Sequence, residues 1–326
     1  MSVTTSYDEK LAVLSEGSVH QHFDAFEDIA WDEPAFAIEA SDPRLKAPTS
    51  HLLAQTEWYQ SLPEERQIEV GTWFMAQMCK VGLHFENLLI RGLMGYVFTL
   101  DNDNPEFRYV THEATEETHH TQMFQEFVNR TGADAPGLRW WAKPFHHVIP
   151  MFSTIFPEFF FVMVLGGEEP IDHMQKHILR ASEDELHPLM RRITQIHVAE
   201  EARHISFAHS YLVKRSQEVG FVKRALLALL TPIVMRIMCD MILAPDARSA
   251  KKLGIPRKVR KQMYWRDPAS KQFLSDMFGD VRMLADQMGI RTRWTRPIWK
   301  AMGIDGAPSR FRGETHERAA LAHGER

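Results

Sequence analysis

Apolar side chains recur every three to four positions through most of the chain between residues 63 and 245, without strand-like alternation. This spacing places the apolar residues on one face of each helix. Proline-rich and polar segments interrupt the pattern and separate one helix from the next. The sequence therefore predicts an all-α protein. Long helices are expected at residues 63–99, 105–131, 152–181, 183–216 and 219–245.

The two ends of the chain lack this pattern. Residues 1–25 are polar and mixed in charge, which predicts a loose N-terminal arm. The segment from residue 26 to about residue 65 is rich in Pro, Asp and aromatic residues and predicts irregular structure around the helices. Residues 306–326 predict a polar, frayed tail. Residues 26–305 are therefore expected to form a single helical domain.

Two features within the helical region affect the prediction. Ser182 is followed three residues later by Glu185, the spacing of a capping box, which predicts the start of the fourth helix. Residues 225–243 are long and apolar enough to suggest a membrane span, but two charged residues and Pro232 argue against a lipid-facing helix. We expect a buried core helix or a subunit-interface helix there.

The N-terminal sequence lacks the pattern of a signal peptide, so a cytoplasmic protein is expected.

Composition narrows the class of protein. Of the 326 residues, 44% are hydrophobic and 25% are charged, with a formal net charge of −5, which is typical of a globular protein. The basic residues are dispersed until the C-terminal third, so nucleic acid is not an expected partner. Cys79 and Cys239 lie in apolar helical segments and are expected to be buried, reduced thiols.

The first two helices carry acidic residues on apolar faces. Glu86 shares its face of the first helix with apolar residues one turn away on either side, so its carboxylate is expected to point into the core. The second helix offers two Glu–x–x–His pairs, Glu116 with His119 and Glu117 with His120. The face that carries Glu117 and His120 is the more apolar, so this pair is preferred as the inward one.

The third and fourth helices repeat the arrangement. Glu168 and Glu169 are adjacent in the third helix, and helical periodicity favours Glu168 as the inward residue without excluding Glu169. In the fourth helix, His197, Glu201 and His204 lie on one stripe because they are four and three positions apart.

Buried carboxylates and imidazoles need partners, because burying them unpaired costs free energy. A Glu on each of two helices with Glu–x–x–His on the other two is the ligand set of ferritin-like dimetal proteins. Two divalent cations would cancel four carboxylate charges, and mixed oxygen and imidazole donors suit iron or manganese. The sequence thus predicts a ferritin-like four-helix bundle with extra C-terminal helices and a dimetal site. Its expected ligands are Glu86, Glu117, His120, one of Glu168 and Glu169, Glu201 and His204.

These residues resemble the p-aminobenzoate N-oxygenase type of diiron oxygenase, over roughly residues 50–245. The specific feature is His197, four residues before Glu201, because a histidine there is an additional metal ligand in that family. The resemblance implies a mono-oxygenase with two iron ions. Such an enzyme takes O2 and electrons from an external reductase or ferredoxin, and oxidises a small amine, typically an arylamine, to the hydroxylamine and onward.

Three other functions share part of this pattern. A ribonucleotide reductase small subunit needs a tyrosine one turn beyond the first Glu–x–x–His, where this chain has Phe124. Ferritins with ferroxidase activity lack the long extension that follows the site here. A hydroxylase or desaturase acting on a lipid or carrier-bound substrate stays an alternative, since residues 225–243 and the basic run 257–266 could dock on a membrane surface or an acidic carrier protein. A homodimer is also left open.

Overall fold

A computed structural model describes residues 6–264 and 266–309 of the chain. Residues 1–5 of the predicted arm and the predicted tail from residue 310 onward lie outside the described residues. The described part contains helices and no β-strand, so the all-α prediction is confirmed. The α-helices are α1 Tyr7–His20, α2 Glu57–Gln60, α3 Glu64–Val97, α4 Glu106–Thr131, α5 Phe152–Ile155, α6 Pro157–Ile178, α7 Pro188–Ser216, α8 Phe221–Leu243, α9 Ala247–Lys252, α10 Arg257–Met263, α11 Pro268–Met277, α12 Gly279–Gln287 and α13 Arg296–Ala301.

Helices α3, α4, α6 and α7 form the predicted ferritin-like four-helix bundle. Helix α3 packs along α4 and α6 packs along α7, and contacts between α4 and α7 and between α3 and α6 close the bundle. Helix α8 packs against α6, and the short helices after it supply the extra C-terminal layer. The irregular segment before α3 includes the 3-10 helices Pro34–Phe36 and Pro43–Leu45.

The third and fourth predicted helices differ from the structure in their first turns, where a proline sets the start of α6 and of α7. The predicted helix 152–181 is divided into α5 and α6, because Phe156 precedes Pro157 and adopts φ −147°, ψ 70°. The capping box at Ser182 and Glu185 produces only a 3-10 turn. Helix α7 begins at Pro188, since the residue before a proline is held out of the α-helical region.

The predicted loose arm is wrong for residues 7–20, which form helix α1. Ser6 and Glu9 make a reciprocal capping box that starts this helix. Leu11 and Leu14 are buried in the same core cluster as residues of α3, α4 and α7. Helix α1 is therefore part of the packed helical body rather than an appendage.

Helix α8 meets the prediction of a core helix on one face only. Leu227, Met235 and Cys239 are buried on that face, whereas Phe221 and Val222 are largely exposed at its start. The segment Phe221–Lys252 is long and apolar enough to cross a membrane by length and composition alone, which is weak evidence because core helices meet the same criterion. Cys79 and Cys239 are both buried and unpaired, as predicted.

Candidate metal centre

Side chains from all four bundle helices converge in the interior at one depth. Helix α3 contributes Glu86, α6 contributes Glu168, and α4 and α7 contribute the rest; each of these residues is at most 8% exposed. Their oxygen and nitrogen atoms form two groups, each with its donor atoms within 4.8 Å of one another. The first group is Glu86, His120 and His197, and the second is Glu117, Glu168, Glu201 and His204.

Glu117 and Glu201 connect the two groups. Glu117 places Oε2 3.3 Å from His120 Nδ1 and Oε1 2.9 Å from His204 Nδ1. Glu201 places Oε1 3.2 Å from His197 Nε2 and Oε2 3.7 Å from His204 Nδ1. Each carboxylate therefore presents one oxygen to each group, so either could be shared between two metal ions.

The adjacent glutamates of α6 have separate environments. Glu168 belongs to the second donor group, and neither of its oxygens has a hydrogen-bond partner among the described residues. Glu169 instead accepts a hydrogen bond of 2.7 Å from His209 Nε2. The helix continues through Pro170 without rotating Glu169 inward. The geometry thus places Glu168 with the other donors, on the side that helical periodicity favours.

Each histidine of the cluster has an acceptor on the ring nitrogen that faces away from it. His120 Nε2–H donates to Glu200 Oε2 at 2.8 Å, and His204 Nε2–H donates to Glu116 Oε2 at 2.7 Å. Burial alone would lower the pKa of His120 and His204, but the neighbouring carboxylates outweigh it and raise both well above the usual value. A bound cation would therefore replace the proton on the inner nitrogen, while these acceptors keep the proton on the outer one.

His197 uses the opposite ring nitrogen. Its Nδ1–H donates to Gln175 Oε1 at 2.8 Å, while Nε2 lies 3.2 Å from Glu86 Oε1. Burial lowers the pKa of His197 well below its usual value. The imidazole is therefore neutral, which a metal ligand must be.

The outer carboxylates are those of Glu116 and Glu200, which accept from the ring nitrogens that face away from the cluster. They were not predicted as part of the site. Glu116 on α4 contacts a histidine of α7, while Glu200 on α7 contacts a histidine of α4, so the two helices exchange partners. Arg203 lies beside both, with Nη2 2.9 Å from Glu116 Oε1 and 3.7 Å from Glu200 Oε1. The only signal in the sequence is that each outer glutamate immediately precedes an inner one.

A further buried carboxyl, Glu113, also escaped prediction. It lies one turn before Glu117 on α4, and its Oε2 has no hydrogen-bond partner among the described residues. Burial raises the pKa of Glu113 to about 8. It does not belong to either donor group.

The donor set fits a pair of metal ions. Besides Glu168, oxygens of Glu86 and Glu201 lack hydrogen bonds among the described residues. Glu117 Oε1 and His204 Nδ1 also lack hydrogen-bond geometry despite their separation of 2.9 Å. Burial, reinforced by nearby carboxylates, raises the pKa of Glu86 and Glu168 well above the usual value. Bound cations would compensate these charges, and a set of carboxylates and imidazoles without thiolate suits iron or manganese.

Phe124 occupies the position beside the extra histidine. Its ring centroid lies 5.1 Å from that of His197. A side chain at Gly82 would begin 2.8 Å from the Phe124 ring, so the glycine permits this close approach. The phenylalanine therefore packs against the donor cluster where a radical-storing protein would need tyrosine.

An apolar cavity of about 60 Å³ adjoins the donor cluster. Its wall includes five cluster residues from both donor groups. The remaining wall consists of apolar side chains and glycines, and the described residues that line it include no Lys or Arg. Among the apolar residues are Phe85, Leu89, Phe160, Met163, Val164 and Met238.

Comparison with known proteins agrees with this geometry. The family model described as "P-aminobenzoate N-oxygenase AurF" matches residues 4–289. Uncharacterized protein Rv0885 of Mycobacterium tuberculosis (strain ATCC 25618 / H37Rv) is 48% identical over 319 residues, which cover 97% of this chain and 93% of that protein. Uncharacterized protein Mb0909 of Mycobacterium bovis has the same identity and coverage. The chain therefore belongs to the p-aminobenzoate N-oxygenase AurF family.

Proposed function

We propose that this protein is a non-haem diiron oxygenase that uses O2 to oxidise the nitrogen of a small amine, of the arylamine type. The observation that carries the proposal is the donor cluster itself. It contains two groups joined by Glu117 and Glu201, with His197 as a third imidazole, beside an apolar cavity. Membership of the N-oxygenase family supports nitrogen as the atom that is oxidised.

The chain's own residues hold and orient the site. Four carboxylates and three imidazoles would bind the two ions, and Glu117 and Glu201 would each offer one oxygen to each donor group. The bound ions supply the redox chemistry with O2. Glu116, Glu200 and Gln175 fix the three imidazole rings, and Arg203 fixes the two outer carboxylates. The apolar wall excludes bulk water from a substrate that lies beside the cluster.

The electron balance specifies the partners. Conversion of an amine to a hydroxylamine inserts one oxygen atom of O2 into an N–H bond and releases the other as water. This step consumes two electrons and two protons. Each turnover therefore needs two electrons from a reductant, and we propose an external reductase or ferredoxin as the donor. A cytoplasmic location remains a prediction.

The proposal can be tested with iron-loaded protein, reduced and exposed to ¹⁸O2 with a panel of arylamines. We expect hydroxylamine products that carry one labelled oxygen, measured by mass spectrometry. Manganese-loaded protein in parallel tests the metal. Oxygen consumption that yields only ferric iron would favour a ferroxidase, and oxygenation of an acyl chain in place of the amines would favour the hydroxylase or desaturase alternative.

A further inference from the structure

The cavity beside the donor cluster has no positive charge in its wall. Apart from the cluster residues, the described residues that line it carry hydrocarbon or thioether side chains or are glycines. The ionisable groups in the wall are the carboxylates of the cluster and the His197 imidazole. A ligand in this cavity therefore meets either apolar atoms or the metal site.

A carboxylate attached to an aromatic ring would be poorly placed here. No guanidinium or ammonium among the lining residues could pair with it, and burying a charge without a partner is strongly unfavourable. Two divalent ions are balanced by the four carboxylates of the cluster, so little excess positive charge is left to attract an acid.

We infer that this site takes an uncharged arylamine with an apolar ring and excludes aminobenzoates. This inference rests on the proposed amine oxidation, and it separates the chain from the anionic compound after which its family is named. The apolar wall is the specificity determinant, because it solvates a hydrocarbon ring and offers no partner for an acid.

The cavity is too small for an aromatic ring unless part of its wall moves. At about 60 Å³ the cavity is smaller than the roughly 150 Å³ that admits benzene in an engineered protein core. Met163 and Met238 both line it, and unbranched methionine side chains rearrange readily. Entry of an arylamine ring therefore requires these two side chains to shift.

The first experiment compares binding of p-toluidine and p-aminobenzoate, which differ at the ring's para position in a methyl group or a carboxylate. Titration calorimetry on ferrous protein under nitrogen measures affinity without turnover. We expect p-toluidine to bind at least roughly 100-fold more tightly at neutral pH. Equal affinities, or no binding of p-toluidine, would overturn the inference.

Matched variants assign the binding to this cavity. Val164→Phe fills the wall beside the cluster and should abolish p-toluidine binding. Met78→Phe makes a similar change in a separate cavity, which begins one helical turn further along α3, and should leave binding unchanged. The opposite pattern would place the ligand in the second cavity and overturn the inference.

A charge introduced into the wall tests the specificity directly. Ile149→Arg adds a guanidinium at the partly buried edge of the cavity, and we expect it to raise p-aminobenzoate affinity by roughly 10-fold or more. Val148→Arg is the control, because Val148 is 48% exposed and does not line the cavity. A gain in neither or in both variants would count against the inference. If Ile149→Arg does not fold, the wild-type comparison decides alone.

Failure of this inference differs from failure of the proposed function. Tight binding of p-toluidine without any N-oxygenated product would remove the proposed activity and leave the selectivity of the cavity intact. N-oxygenation of p-aminobenzoate as efficient as that of p-toluidine would support the proposed activity and overturn the selectivity.

Discussion

Glu106 and Glu168 are both glutamates buried in the bundle, but their surroundings are opposite. Glu106, at 1% exposure, accepts hydrogen bonds from the hydroxyls of Tyr7 and Tyr96, and Lys214 Nζ lies 3.8 Å away. Glu168, at 8% exposure, has no hydrogen bond to either oxygen among the described residues, and it lies among other carboxylates.

The contrast separates a structural carboxylate from one that needs a ligand. At Glu106 the chain supplies hydroxyl donors and positive charge, so the buried carboxylate is compensated from within the protein. At Glu168 the nearest ionisable groups include Glu201, whose charge reinforces the effect of burial and raises the pKa of Glu168. The described residues leave this second carboxylate uncompensated, which fits a ligand of a metal ion.

The largest effect on metal content is expected when a carboxylate that serves both donor groups is removed. Glu117→Ala or Glu201→Ala should lose most of the bound iron, because each substitution removes a donor from both groups. Elemental analysis should give about two iron ions per wild-type chain, as for a dimetal site. Two ions retained in either variant, or a single zinc in the wild type, would contradict the bridged site.

Removal of the metal should destabilise the wild type more than it destabilises Glu201→Ala. A ligand that binds only the folded state stabilises it by about 4 kcal/mol at a free concentration 1,000 times its dissociation constant. Chelation should therefore lower the melting temperature of the wild type, measured by calorimetry, and have little effect on Glu201→Ala. An equal fall in both proteins would show that chelation acts elsewhere.

The next largest effect on iron content and activity is expected for the two adjacent glutamates of α6. Glu168→Ala should abolish amine oxidation and deplete iron, whereas Glu169→Ala should retain both. Glu169→Ala should still lower the free energy of unfolding by about 1–3 kcal/mol, because it leaves buried His209 without its carboxylate. The reverse metal contents would show that the two side chains exchange places when ions bind.

This pair shows why the inner site could be predicted from sequence. Each inner residue shares a helical face with apolar residues, and a period of 3.6 determines which face is buried. The same period favours Glu168 over Glu169 without excluding Glu169, and the structure places the Glu169 side chain against His209. Periodicity cannot show which histidine an outer glutamate will reach, because Glu116 and Glu200 contact residues of another helix.

The starts of the helices show a second limit of prediction from sequence. The Ser–x–x–Glu spacing of a capping box starts an α-helix at one place and only a 3-10 turn at another. Ser6 and Glu9 form a reciprocal capping box that starts α1, although the segment was predicted to be loose. Ser182 and Glu185 have the same spacing but form only a 3-10 turn. The difference is Pro188, which sets the start of α7 and was readable in the sequence.

His197→Ala should lose less metal than the carboxylate variants, but it should lose most of the amine-oxidising activity. The variant should fold and keep much of its iron, since Glu86, His120 and the bridging carboxylates remain. Its visible spectrum should change, and amine oxidation should fall by several orders of magnitude if His197 binds iron.

A neighbouring substitution separates ligation from packing at this position. Phe124→Leu removes the ring that lies against His197 and should cost about 1 kcal/mol of stability without altering the spectrum. If His197→Ala kept the wild-type spectrum and turnover, His197 would be a core histidine. The protein would then be a diiron oxidase of another class.

The smallest expected effect on the metal site follows substitution of the structural carboxylate. Glu106→Gln keeps the shape of the side chain but removes the charge that faces Lys214 and reduces its capacity to accept the two tyrosine hydroxyls. We expect the free energy of unfolding, measured with urea, to fall by about 1–3 kcal/mol. Iron content and spectrum should match the wild type, because the partners of Glu106 come from the ends of α1, α3 and α7 rather than from the donor groups. Loss of iron in this variant would show that the two carboxylate environments depend on each other, and that the compensated one helps to hold the bundle in the register that the metal site requires.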